Sequence, residues 1–327
     1  MGMVTEEYAP KRLYGVKKGE GGRCICQLSD KEVSLPGSVY EKYNQLVERM
    51  AKSSNDENDA NFAQSNIINA FLKAGLIYKK KDIPEIMSGA EFHEKYFSPL
   101  LEVWLHKAFS HPFWELMMEG KGSARMYAGW LFELYHYTKN ANRHMPLATA
   151  CCHQKRIKTL FAKHFEEEWN HYHFFSRALR AMGYSKEQIE TSRPLTMTME
   201  MSNFMRQAAR RDSLAYSICS AVLEGTTVDR GSYNPFYESV QELYDVPVEA
   251  VKPIYDHLDL DIQYQHSDLF LDICKTVDEI DDERASLVLS YGHQMIEHIW
   301  MWTENIWSYY SNKNNPVPAR TFDYYRD

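Results

Sequence analysis

The chain has 327 residues, of which 44% are hydrophobic and 25% charged, with a net charge of −8. That length suits one large core with a smaller appendage; no apolar run approaches the roughly 18 residues of a membrane span, and no basic cluster exceeds Lys79-Lys80-Lys81, which excludes nucleic acid and anionic membranes as partners. Met1 to Arg12 carry no apolar run of the secretory kind, which predicts a cytoplasmic protein, and in that compartment the six cysteines read as free thiols rather than a disulfide or zinc framework.

Residues 1–85 read as short elements. Arg23 to Leu28 and Lys31 to Leu35 alternate apolar and polar residues around Ser29-Asp30, which predicts a hairpin. Tyr40 to Met50 has the spacing of an amphipathic helix, Lys52 to Asn61 reads as a polar linker, and Phe62 to Ala74 as a second helix stopped by Gly75. The run Phe71-Leu72-Lys73-Ala74-Gly75-Leu76-Ile77 resembles the last helix and wing of small winged-helix domains, including the peptide-binding module related to the pyrroloquinoline quinone biosynthesis chaperone. The resemblance implies a winged-helix-like α+β module that either packs as an add-on or receives a peptide or carrier partner.

From residue 86 to 311 the pattern changes to long helices with few glycines. They are predicted at 90–118, 122–140, 147–182, 201–225, 234–244, 248–275 and 280–311. Gly120 and Gly122 separate the first pair, Gly183 caps the third, and Pro146 and Pro194 are placed between elements. Seven helices with short links imply an all-α antiparallel bundle, followed by an extended tail over 312–327.

The chemistry is concentrated in four of these helices. In His164-Phe165-Glu166-Glu167-Glu168-Trp169-Asn170-His171, Glu168 lies three residues and Glu167 four residues before His171, so both carboxylates share the histidine's face. Leu160, Phe161, Phe165, Trp169, Tyr172, Phe174 and Phe175 make this stretch apolar around much of its circumference, which predicts burial and makes unpaired carboxylates costly. His257 and Asp261, four apart, share a face of the sixth helix. His266 is five beyond Asp261 and joins them only if the helix is widened or broken between Ile262 and Gln265; otherwise Tyr264 faces the site. Glu133, in Trp130-Leu131-Phe132-Glu133-Leu134-Tyr135, and Glu224, in Ala221-Val222-Leu223-Glu224-Gly225, each follow apolar neighbours, and a nearby cation is the economical explanation for both. Four carboxylates (Glu133, Glu168, Glu224, Asp261) and three histidines (His171, His257, His266) without thiolate suit iron or manganese better than zinc.

On these motifs the chain resembles the heme-oxygenase-like diiron oxidases, relatives of the thiaminase and pyrroloquinoline quinone synthase folds, over residues 90 to 310. Glu133 matches the family's first glutamate, Glu168 and His171 its second-helix pair, Glu224 its isolated glutamate, and His257 and Asp261 the start of its His-x-x-x-Asp-x-x-His motif. The last histidine of that motif falls at Tyr264, so His266 requires two inserted residues to be absorbed. His164 stands where some relatives place a glutamate and is either an extra ligand or a partner to one. The resemblance implies a seven-helix heme-oxygenase-like domain holding two Fe(II) ions that activate O₂. The expected substrate is small and amino-acid-derived, or fatty-acid-derived, with N-oxygenation, oxidative C–C cleavage or desaturation in a biosynthetic pathway as outcomes. Two rivals are a metal-free thiaminase- or quinone-synthase-type enzyme and a non-enzymatic scaffold; a homodimer is compatible with all three.

Other residues carry plainer readings. His136, His144, His153 and His173 are expected at the surface or in hydrogen bonds, and His293 and His298 in aromatic packing with Trp300, Trp302 and Trp307. Met197, Met199, Met201 and Met205 read as core filler or cavity lining, and Arg206, Arg210 or Arg211 could receive a substrate carboxylate.

Overall fold

A computed structural model describes residues 8–11, 13, 15–28, 31–52, 66–79, 86–224, 230–264 and 266–319. The polar linker beyond Lys52, the first residues of the expected second helix (62–65) and the Ser29-Asp30 turn lie outside these residues, as does Gln265. The chain divides into two compact units, Met1–Met87 and Ser88–Asp327.

In the smaller unit, β1 (Tyr8–Pro10) pairs antiparallel with β5 (Ile77–Lys79), and β2 (Gly15–Lys18), β3 (Arg23–Gln27) and β4 (Glu32–Pro36) form an antiparallel meander. The expected hairpin strands are β3 and β4. Helices α1 (Gly37–Lys52) and α2 (Asn66–Ala74) complete the unit. Its core gathers Cys26, Leu35, Tyr43, Leu46, Ile68, Phe71 and Leu76. Gly75 ends α2 at φ +73°, a conformation that residues with a Cβ rarely adopt.

The larger unit is helical, and the long helices expected from periodicity are present but broken. The first becomes α3 (Gly89–Phe92), a π segment (His93–Phe97), α4 (Ser98–Phe109) and α5 (Pro112–Met118). Helix α6 (Ala124–Cys151) runs on through Pro146, which the sequence reading placed between elements. Ala141, His144, Met145 and Ala148 are buried on either side of that proline, so packing carries the helix past the missing N–H. The expected 147–182 helix is α7 (Lys155–Glu168) and α8 (Tyr172–Ala181), parted at Trp169-Asn170-His171; the short α9 (Lys186–Thr191) follows. Helices α10 (Thr196–Arg211) and α11 (Ser213–Glu224) are separated by Asp212, whose carboxylate caps α11 through the N–H groups of Leu214 and Ala215. The chain continues as α12 (Arg230–Tyr244), α13 (Val248–Tyr264), a 3₁₀ turn (His266–Asp268), α14 (Leu269–Cys274) and α15 (Asp282–Ser311). No helix among the described residues is long and apolar enough to cross a membrane.

Helix α6 is the spine of the bundle, with α7, α8, α10 and α15 packed around it, and α13 packs on α8. Gly129 lets α15 come close: a Cβ there would stand 2.2 Å from the Tyr310 ring. One turn further along α6, the Tyr310 hydroxyl donates to Glu133 Oε1 at 2.7 Å. Leu195 N–H and the Thr198 hydroxyl donate to the other oxygen of Glu133, and Trp302 Nε1 donates to Thr198 Oγ1 at 2.8 Å. Helices α6, α10 and α15 are thus tied together through one buried carboxylate. Alanine at Gly129 would gain up to ~1 kcal/mol of helix propensity, but displacing Tyr310 costs about 1–3 kcal/mol in overpacking plus a hydrogen bond. Gly129→Ala should therefore destabilise the fold by about 2 kcal/mol in chemical denaturation; a variant as stable as the parent would show that α15 does not depend on this close approach.

Candidate metal centre

Six of the seven expected ligands converge, together with His164. On α7, His164 and Glu168 are one turn apart and face the bundle interior. The helix then breaks: His171 N–H bonds Glu168 C=O at 3.1 Å and α8 begins at Tyr172. Asn142 on α6 takes the Trp169 carbonyl with its side-chain amide at 2.8 Å, which satisfies a group that the interruption leaves outside the helix ladder. Across the break His171 stays beside Glu168, with Nδ1 2.8 Å from Oε1.

From α13, His257 Nδ1 lies 3.0 Å from Asp261 Oδ2, and Asp261 Oδ1 lies 3.6 Å from His171 Nδ1. The helix runs to Tyr264 and a 3₁₀ turn begins at His266, with Gln265, where the expected wide turn ends, outside the described residues. That turn swings His266 inward, to 4% exposure, with Nδ1 3.1 Å from Glu168 Oε1 and 3.5 Å from Asp261 Oδ1. Tyr264 is 38% exposed and stacks on the outer side of the His266 ring. From α11, Glu224 Oε1 lies 3.1 Å from His164 Nε2 and accepts from Ser220 Oγ at 2.9 Å.

Two groups of side chains with metal-binding spacing emerge: His164, Glu168 and His266 in one, Glu168, His171 and His257 in the other, with the donor atoms of each group within 4.8 Å of one another. Glu168 belongs to both. Glu224 borders the first group through His164, and Asp261 borders both, the second through His257 and His171 and the first through His266. The fit to metal rests on orphaned atoms. His164 Nε2, Glu168 Oε1, His171 Nδ1, Asp261 Oδ1 and His266 Nδ1 are buried and, among the described residues, have no aligned hydrogen-bond partner despite their short separations. Nitrogen and oxygen atoms that face each other in this way need a proton or a metal ion between them, and the poor alignment for a hydrogen bond suits the metal.

The electrostatics agree. Burial alone would lower the basicity of His266, yet the Asp261 and Glu168 carboxylates hold it up at about 11. Burial likewise opposes ionisation of Glu168, but His171 and His266 beside it pull its carboxyl far below the usual range. His164 and His257 are raised in spite of their burial by Glu224 and Asp261 respectively. The cluster attracts positive charge at every carboxylate.

Glu133, which the sequence reading placed among the ligands, stands apart from the cluster. It belongs to neither metal-spaced group, and both of its oxygens are taken by Leu195, Thr198 and Tyr310. Burial pushes its carboxyl up to about 7 against those three hydrogen bonds. The plainer histidines behave as expected: His136 bonds Ser192, His153 and His173 are exposed, and His298 stacks on Phe204. Arg210 and Arg211 are exposed, and Arg206 bonds Asn203.

Beside the cluster lies a cavity of about 690 Å³. Glu168, Glu224, His257, Asp261 and His266 form its polar end, while Trp114, Trp130, Phe175, Met201, Met205 and Trp302 are among its apolar walls. No lysine or arginine lines it among the described residues. His106, Phe109 and Ser110, at the break between α4 and α5, are exposed and give it a mouth. His144, on the wall, shares a 2.9 Å hydrogen bond with Tyr216, a pairing that no sequence spacing announces. Burial drives the His144 pKa down to about 3, so it faces the centre as a neutral ring. Replacing Glu133 by Ala should cost about 3 kcal/mol of stability, from the three donors left behind, while metal stoichiometry stays that of the parent; a stable variant that loses metal would return Glu133 to the ligand set.

Comparison with known proteins places this geometry. A family model described as iron-containing redox enzyme matches residues 128–297, which takes in every residue of both metal-spaced groups. A domain with a heme oxygenase-like fold from Shewanella denitrificans superposes with a TM-score of 0.58 at 18% identity, covering 68% of this chain and 94% of that one. A TenA homolog from Pseudomonas syringae gives a TM-score of 0.50 at 14% identity, covering 63% of this chain and 89% of that one. No curated protein matches the sequence. The chain is a member of the iron-containing redox enzyme family, built on a heme-oxygenase-like fold.

Proposed function

We propose that this protein is a non-heme diiron oxidase or oxygenase that uses O₂ to oxidise a small organic substrate held in the cavity beside Glu168. The observation that carries the reading is the sharing of Glu168 between two histidine-bearing groups, a donor set that would suit a pair of adjacent cations. Two bound ferrous ions would supply open coordination positions and two of the four electrons that O₂ accepts, the oxidised substrate supplying the other two and an external reductant returning the ions to the ferrous state.

The chain's own residues do the rest. His164, His266 and Glu224 would hold one ion and His171 and His257 the other, with Glu168 shared and Asp261 within reach of both. The aromatic and methionine walls exclude water from the reacting end. The neutral His144 ring adds no charge that would repel a cation. A metal-free enzyme of the same fold is disfavoured because it leaves the five orphaned atoms without a purpose.

The cavity also constrains the substrate. Its walls are largely apolar and its carboxylates stand at the metal end, while His106 and Ser110 are the polar groups at the mouth, so the substrate enters with a polar head toward Glu168 and an apolar body along the aromatic and methionine walls. An amino acid with an apolar side chain and a fatty-acid derivative both meet this description. N-oxygenation, oxidative C–C cleavage and desaturation are all open to a centre of this kind.

Anaerobic titration tests the reading: the protein should take up close to two ferrous ions per chain, and admitting O₂ should produce a transient visible absorption. Glu168→Ala should weaken both ions by about 100-fold or more, since even outer partners of metal ligands are worth 10–100-fold. Uptake of no iron by the parent, or loss of only one ion in Glu168→Ala, would contradict it.

A further inference from the structure

The diiron reading uses one nitrogen of His266 and leaves the other to be explained. His266 lies in a 3₁₀ turn rather than in α13. Its Nδ1 faces Glu168 and Asp261. Its Nε2 faces outward, 3.3 Å from Glu167 Oε2, in a hydrogen bond between side chains that are 4% and 15% exposed. The second oxygen of Glu167 lies 3.4 Å from Lys163 Nζ. Glu167 therefore sits on the same helix as Glu168, one residue away, but on the outer side of the His266 ring.

We propose that Glu167 is the positioning residue that sets the tautomer and the orientation of His266 for metal binding; the proposal rests on the diiron reading above. A carboxylate can only accept, so its hydrogen bond requires a proton on Nε2. In the neutral ring this leaves Nδ1 as a bare lone pair. Without metal, that position can be filled by a proton shared with the Glu168 and Asp261 oxygens; a metal ion takes the proton's place while Nε2–H stays on Glu167. Glu167 thus does from outside what outer carboxylates do for ligating histidines generally: it fixes the ring and raises the basicity of the inward nitrogen. Tyr264, stacked on the same ring with centroids 5.6 Å apart, limits its tilt. The adjacent acidic pair Glu167-Glu168 divides the work, one carboxylate binding the metal and the other aiming its histidine.

Ferrous titration of the parent, Glu167→Ala and Glu167→Gln under anaerobic conditions tests this, with thermal unfolding as a check on folding. The parent should bind two ions, and Glu167→Ala should weaken one of them by about 10–100-fold and leave the other unchanged. Glu167→Gln, which keeps an acceptor for Nε2–H, should restore most of that loss. Two ions bound by Glu167→Ala as tightly as by the parent would overturn the proposal while leaving the diiron reading intact; a parent that binds no iron overturns the diiron reading and this proposal with it. If Glu167→Ala does not fold, nitrogen NMR of the zinc-loaded parent decides: His266 should carry its proton on Nε2 and its metal on Nδ1, and the reverse assignment would refute the role of Glu167.

Discussion

Everything in the helical unit is arranged around a carboxylate that could not otherwise be buried. Glu168 lies at the centre of the bundle, and its Oε1 has two imidazole nitrogens within about 3 Å and no aligned hydrogen bond among the described residues. Taking such a group out of water costs several kcal/mol unless a cation offsets it. The neighbours that could neutralise it are themselves buried imidazoles, drawn toward the charged form by the same carboxylates. Divalent metal resolves the conflict more completely than protons do, because it accepts lone pairs from nitrogen and oxygen alike.

Two helices break beside this cluster. Glu168 and His171 would share a face even on an unbroken helix; the interruption at Trp169-Asn170-His171 changes the direction of the chain there while both stay on the interior face. The end of α13 at Tyr264 does the same for His266. Stability must be made up elsewhere, and the tie from Tyr310, Thr198 and Leu195 to Glu133 supplies it on α6, α10 and α15. Two buried glutamates in one bundle thus have opposite surroundings. Glu133 is enclosed by donors, whereas Glu168 is enclosed by atoms that look for a cation.

The difference between those two glutamates marks the limit of what the sequence discloses. Helical periodicity and i, i+3 and i, i+4 spacing expose the pairs Glu168-His171 and His257-Asp261, because their geometry is local. The same reading takes Glu133 for a ligand: apolar neighbours announce burial, but its three donors sit 62, 65 and 177 residues away along the chain. His164 stays ambiguous in sequence for the same reason, since its partner Glu224 is on another helix. The break at Trp169 has neither glycine nor proline to signal it, and Pro146, which should signal a break, lies within a helix held by its packing. The hairpin of the smaller unit and the Gly75 stop were legible because turn and cap chemistry are local as well.

The central claim is that Glu168 stands between two metal ions, and the most direct test is anomalous diffraction at the iron edge from crystals grown and loaded with ferrous ion without oxygen. The account predicts two peaks, one among His164, His266 and Glu168 and the other among His171, His257 and Glu168. A single peak, or peaks that do not share Glu168, would contradict it.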